Sequence, residues 1–200
     1  KLPRALDSAQ QQSPAPSASP AAETRNVMMA AASPFSTAYI GLGSNLSGPA
    51  RQLERALQCL RALPTLEVTN VSGLYRSAPL GGIEQPEFLN AVVEVRTSLA
   101  PRELLVELQA IETALGRDRN VRRWGPRNID LDLLSHGMQR ISEADLEVPH
   151  PGIAERNFVL LPLMDIAPDL ALPGAGRIGE YAVPAEPHIE KISDGSWADV

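Results

Sequence analysis

The chain has 200 residues, 44% of them hydrophobic, which suits one domain with a buried core and appendages. Its formal charge of −6 argues against a general nucleic-acid or membrane-surface binder. The single cysteine, Cys59, rules out an internal disulfide and fits a reducing, cytoplasmic setting, and no apolar run is long enough to span a bilayer.

Residues 1–36 are rich in Ala, Ser, Pro and Gln without periodicity and are expected to form a disordered N-terminal tail. They lack the basic start and compact apolar core of a signal peptide. The domain is expected over residues 37–173. Thr37 to Gly43 reads as a first strand, turned by Gly43-Ser44-Asn45. Pro49 then opens a helix with Leu53, Ala56, Leu57 and Leu60 on one face, and Cys59 packs within that pattern. The Lys-Ser/Thr ending of a phosphate-binding loop is absent, so the glycine turn reads as structural.

Val68 to Tyr75 reads as a second strand, and Arg76 to Pro86 as a loop too long for a tight hairpin, hence a candidate for function. Phe88 to Thr97 is a third strand with Leu89, Ala91, Val93 and Val95 toward the core. Phe88 and Asn90 share its other face. A ring to stack on beside an amide that both donates and accepts suits a flat heterocycle, although ordinary cross-strand packing would look the same. Pro101 starts a second helix lined by Leu104, Leu108, Ile111 and Leu115, with Gly116 as C-cap. Glu112 in its last turn opposes the helix dipole and calls for a cationic partner.

Arg117, Arg119, Arg122, Arg123 and Arg127 crowd the next segment, offset nearby only by Asp118. Gly125-Pro126 breaks any helix there. From Ile129 the pattern alternates: Ile129, Leu131 and Leu133 point one way, Asp130 and Asp132 the other. An Asp-x-Asp pair on a strand is ordinarily a solvated face. Beside so many forked cations it suggests a metal–polyphosphate site instead, with carboxylates on Mg²⁺ and arginines on the remaining phosphate charge. Ser135 to Met138 reads as a turn, and Ile141 to Val148 as short extended pieces. His150 lies in a rigid Val-Pro-His-Pro segment, and Arg156-Asn157-Phe158 leads into a short apolar helix, Leu160 to Ile166. The pattern fades after Pro173, so residues 174–200, with His188 and Trp197, are expected as a C-terminal tail. The order of elements implies an α+β domain on a mostly antiparallel sheet.

The blocks Ala38 to Asn45, Arg123 to Leu133 and Leu161 to Pro168 resemble, in order and spacing, the 6-hydroxymethyl-7,8-dihydropterin pyrophosphokinase family of folate synthesis. The resemblance implies a ferredoxin-like core with helices on both sheet faces. It implies transfer of pyrophosphate from ATP to the hydroxymethyl oxygen of the dihydropterin, giving AMP and the pterin diphosphate, with two Mg²⁺ ions. By position, Asp130 and Asp132 match the metal ligands and, with Arg117 and Arg127, the catalytic set. Glu112, Arg119, Arg123, Trp124, Leu133, His150 and Arg156 match residues of the ATP site. Ser77, Pro79, Leu80, Phe88, Asn90 and Phe158 match the pterin site. Departures include Ser77-Ala78 for a familiar Thr-Pro, Phe88 for Tyr, and Gly152 where an arginine is frequent. The partners implied are ATP and the dihydropterin, with neither nucleic acid nor membrane; other folate-pathway enzymes stay open as physical partners. Three other readings remain: an Mg-dependent nucleotidyltransferase, which would leave Phe88, Asn90 and Phe158 unexplained; a ferredoxin-like RNA-binding module, at odds with an acidic chain with few aromatics; and a relative that binds pterin without turnover.

Overall fold

A computed structural model describes residues 35–80, 84–117 and 125–199. Of the expected N-terminal tail only Phe35 and Ser36 fall among them. The elements are β1 (Ser36–Ser44), α1 (Pro49–Arg61), β2 (Leu66–Val71), β3 (Leu74–Ser77), β4 (Phe88–Thr97), α2 (Pro101–Ala114) and β5 (Asp130–His136). A hairpin of β6 (Ile141–Glu143) and β7 (Leu146–Val148) precedes α3 (Asn157–Ile166). Two short strands, β8 (Ala171–Leu172) and β9 (Gly176–Arg177), and a last one, β10 (Ile189–Ser193), complete the chain.

The main sheet runs β10-β3-β4-β1-β5, with β2 also paired to β4, and every pairing in it is antiparallel. The central order with its two β-α-β connections is that of a ferredoxin-like fold. Alternation along the strands sorts side chains to two cores. On one face Ile40, Leu42, Val93, Val95, Leu131 and Leu133 meet the apolar stripes of α1 and α2. On the other, Tyr39, Val92 and Leu134 meet Val159, Leu160 and Leu163 of α3. Leu134 lies on that second face by the same alternation that puts Asp130 and Asp132 there, and the β1–β5 register slips by one residue beside it. The helices follow their sequence signals: proline opens α1 and α2, and Gly116, at φ +82°, lies just beyond the end of α2.

Two expectations differ from the structure. The second strand is divided at Ser72-Gly73 into β2 and β3. Ser72 keeps the division in register with β4: its backbone N–H donates to Val92 O at 2.9 Å, and its Oγ accepts from Val92 N–H at 2.9 Å. Residues 174–199 do not trail away, since β10 adds an edge strand against β3. Trp197 Nε1 donates to Ser72 O at 2.9 Å, and Arg61 donates to Ala198 O at 2.8 Å. The pattern is weak there because β10 alternates over only five residues and is half-buried.

Gly73 sits where β3, β10 and α3 converge. A Cβ on it would fall 2.3 Å from Lys191 Cε, 2.6 Å from Ser193 O and 3.0 Å from Asp165 Oδ2. The lysine tip can swing away, but the backbone carbonyl cannot. Gly73→Ala should therefore destabilise the protein by about 1–3 kcal/mol, measured as a lower urea midpoint with an unchanged m-value.

Candidate functional site

A cavity of about 260 Å³ opens on the α3 side of the sheet, beyond the N-terminal end of that helix. Its floor is set by strand register. Asp130 of β5 pairs with Gly43 of β1, which pairs on its other side with Asn90 of β4; Asp132 likewise faces Gly41. Directly paired residues project to the same face. The two glycines therefore clear the floor between a carboxylate end and an amide end. A Cβ on Gly43 would stand 3.4 Å from Asn90 Oδ1 and 4.0 Å from Asp130 Cβ, filling that gap.

At the carboxylate end Asp130 is paired with both Arg117 and Arg127, while Arg117 also pairs with Glu112. Glu112 is buried beneath the cavity, not on its wall, and its Oε1 accepts from Leu131 N–H at 2.7 Å. Thus the acid at the end of α2 has the arginine partner its position demands, and it fixes β5 as well. Burial raises the Glu112 pKa, against the hydrogen bond from Leu131 and the charge of Arg117. Asp130 Oδ1 is buried and, among the described residues, has the Arg117 guanidinium beside it but receives no well-aligned hydrogen bond. Asp132 is pushed up to about 7, first by burial and then by the charge of Asp130, with Arg156 and Arg127 acting the other way.

That donor set fits a hard divalent cation: two carboxylates on one strand face, with Asp132 less compensated by arginines than Asp130. Among the described residues no group of three or more His, Cys, Asp or Glu side chains could hold a metal alone. Two carboxylates are the protein's share in a common way of holding Mg²⁺, with substrate phosphates supplying the rest.

Asn45 joins the two ends. Its Oδ1 accepts from Arg127 N–H at 2.8 Å, its own N–H donates to Arg127 O at 3.1 Å, and Nδ2 donates to Gln85 Oε1 and Pro86 O, each at 3.0 Å. It is 2% exposed. The segment read as a simple turn is thus a clamp between the arginine segment and the long loop. Only the amide's ability to donate and accept at once hinted at this.

At the other end lie Phe88, Asn90, Ser77, Leu80 and Phe158. Asn90 Nδ2 donates to Ser77 Oγ at 2.9 Å. Pro79 lies between lining residues Ala78 and Leu80 and does not itself line the cavity. His150 and Arg156 line the third side. His150 Nδ1 accepts from Gly152 N–H at 3.0 Å, and burial followed by the charge of Arg156 lowers its pKa, so the neutral ring keeps its proton on Nε2. Gly152 makes room for both: a Cβ there would lie 2.8 Å from Arg156 Nε and 2.9 Å from His150 Cε1. Leu133 turns away into the core under α1 and α2, 4% exposed, so its side chain does not reach the cavity. Strand alternation sends it to the face opposite the aspartates, so a part for Leu133 in the ATP site falls to its backbone. Arg119, Arg123 and Trp124 lie outside the described residues.

Residues 39–168 match the family model of 7,8-dihydro-6-hydroxymethylpterin-pyrophosphokinase (HPPK). The chain belongs to this family. A 2-amino-4-hydroxy-6-hydroxymethyldihydropteridine pyrophosphokinase of Haemophilus influenzae is 46% identical over 144 residues, 72% of this chain and 89% of that one. One of Methylorubrum extorquens is 47% identical over 156 residues, 78% of this chain and 98% of that one. Among solved structures, a Plasmodium falciparum HPPK-DHPS triple mutant with pteroate has the same fold, with a TM-score of 0.56 at 18% identity. That match covers 72% of this chain and 42% of the longer Plasmodium chain.

The strained carboxylate should be visible in stability. Asp132 holds its proton to about pH 7 when folded, against 3.8 for an ordinary carboxyl. Between those values the folded state carries the extra proton, so this group's contribution to stability falls as pH rises. In a chelator, Asp132→Asn should flatten the fall across that window and be the more stable protein at pH 8, as read by urea denaturation.

Proposed function

We propose that this cavity transfers the pyrophosphoryl group of ATP to the hydroxymethyl group of 6-hydroxymethyl-7,8-dihydropterin, in a Mg²⁺-dependent reaction. The observation that carries the proposal is the row Asn90–Gly43–Asp130. It puts a heterocycle-sized, aromatic and amide-bearing end next to a carboxylate and arginine end, with one side-chain-free residue between them.

The pterin ring would lie between Phe88 and Phe158, its edge read by the Asn90 amide. Asn90's amide nitrogen gives one of its two N–H groups to Ser77, which leaves the other N–H and the carbonyl oxygen for the ring edge. The hydroxymethyl arm would then extend over Gly43 toward the aspartates. ATP would enter from the side of His150 and Arg156, which offer one neutral donor and one fixed cation to the triphosphate. Arg119, Arg123 and Trp124 are proposed to complete that side. The hydroxyl oxygen attacks the β-phosphorus and loses its proton to solvent, the bond from the β-phosphorus to the α-phosphate oxygen breaks, and AMP leaves. Mg²⁺ at Asp130 and Asp132, two ions on the family pattern, would draw charge from the phosphates and lower the barrier to attack. Arg117 and Arg127, now on Asp130, would turn to the phosphate oxygens as charge develops, and the surrounding walls would keep water from competing as acceptor. Substrate positioning and charge neutralisation carry the rate, since phosphoryl transfer asks for little covalent help from the protein. HPPK-DHPS chains such as that of Plasmodium also make association with another folate enzyme a reading worth testing.

Phosphorus NMR of the full chain with ATP, Mg²⁺ and the hydroxymethyl dihydropterin should show AMP and a pterin-linked diphosphate. Asp132→Ala should reduce kcat by about 10²–10³, the usual effect of losing one group of a charge clamp. Release of inorganic pyrophosphate instead would favour a nucleotidyltransferase. Pterin binding without turnover would make the protein a binding relative. Asn45→Ala should lower kcat/KM about tenfold or more by releasing Arg127 and residues 85–86, whereas Asn45→Asp, which still accepts from Arg127 N–H, should fall between.

A further inference from the structure

Resting on the reading of the Phe88–Phe158 end as the pterin site, we infer that Asn157 is a positioning residue that ties the C-terminal segment to that end and sets the gap a ring must enter. Asn157 is the first residue of α3, directly before Phe158, and is fully buried. Its Nδ2 donates to Pro187 O at 2.7 Å and to Pro184 O at 3.1 Å. Both partners are carbonyls, so the nitrogen must be the atom facing them. Among the described residues its Oδ1 has no hydrogen-bond partner. A buried amide with one end doubly bonded and the other orphaned is costly as mere filler.

The same short segment grips the opposite wall. His188 O accepts from Ala78 N–H at 3.0 Å, and Ile189 pairs with Ser77, whose hydroxyl receives the Asn90 amide. Residues 184–189 therefore form a strap between the start of α3, which carries Phe158, and the end of β3, which leads into Ala78 and Leu80. The segment is suited to this work. Prolines leave carbonyls free as acceptors and fix φ, so the strap resists stretching. The strap's bonds fall on Asn157, Ala78 and Ser77, at the pterin end, so its loss acts chiefly on pterin binding.

The test uses the full chain. Binding of 6-hydroxymethylpterin is titrated by its fluorescence, binding of a non-hydrolysable ATP analogue by calorimetry, and KM is measured for both substrates. Asn157→Ala should raise Kd and KM for the pterin about tenfold while ATP values stay within about twofold. Asn157→Ser keeps one donor and should show a smaller rise of the same kind; it carries the test where the alanine variant fails to fold. Lys191→Ala removes the pairing of Lys191 Nζ with Asp165 (2.6 Å), also made by the C-terminal segment but away from the cavity. It should lower the unfolding midpoint without moving either KM. Unchanged pterin affinity in folded Asn157 variants, or an equal loss for both ligands, would overturn the inference and leave the proposed reaction standing. Failure of the parent chain itself to bind the pterin would overturn the functional reading and this inference with it.

Discussion

Two carboxylates on one strand face, in a cavity partly shut off from water, cannot both stay charged unless cations stand beside them. The structure of this protein is arranged around that requirement. Asp130 and Asp132 project from β5 to the same side, and Arg117 and Arg127 close on Asp130. Arg117 is in turn held by Glu112, whose other contact is the backbone of the same strand. Helix α2, the arginine segment and β5 are thereby locked to one another by charge as well as by packing. Asp132 is left with less compensation and with a raised proton affinity. A site so prepared favours ligands that bring positive charge to the aspartates and negative charge to the arginines together, as a magnesium–polyphosphate does.

Space is the second condition, and β1 supplies it by having nothing there. Gly41 and Gly43 alternate with core residues Ile40 and Leu42, so the strand fills one face of the sheet and empties the other. Helix α3 covers only part of the emptied face, through Val159, Leu160 and Leu163. What it leaves open is the cavity. Asn45, at the end of the same strand, then ties the arginine segment to the long loop with four hydrogen bonds. The open space over the sheet and the anchoring of both segments thus depend on one nine-residue interior strand.

Much of this was legible before any coordinates. The alternation of Ile129 to Leu133, the core face of Phe88 to Thr97 and the stripes of α1 and α2 are local periodicities, and each predicted the correct face. The carboxylate pair, the arginines and the Phe88/Asn90 neighbours were legible for the same reason, because strand spacing alone places i and i+2 together. Other features were hidden because they depend on what lies opposite. Gly43 read as turn chemistry until register set it between Asp130 and Asn90. Leu133, next to Asp132 along the chain, sends its side chain to the opposite face and into the core.

The sequence by itself determined the element types, the chemistry of the site and, through ordered motifs, the family. Those properties reside in residue identity and short spacing, which are present in any conformation of the chain. Tertiary structure alone decided the partnerships: Gly43 between Asp130 and Asn90, Glu112 under Arg117, and Asn157 against the carbonyls of residues 184 and 187. It also turned the pattern-poor C-terminal residues into an edge strand and a strap. Backbone hydrogen bonds carry most of those contacts, and a carbonyl or an N–H is the same for nearly every residue type, so no side-chain pattern announces where it will be used.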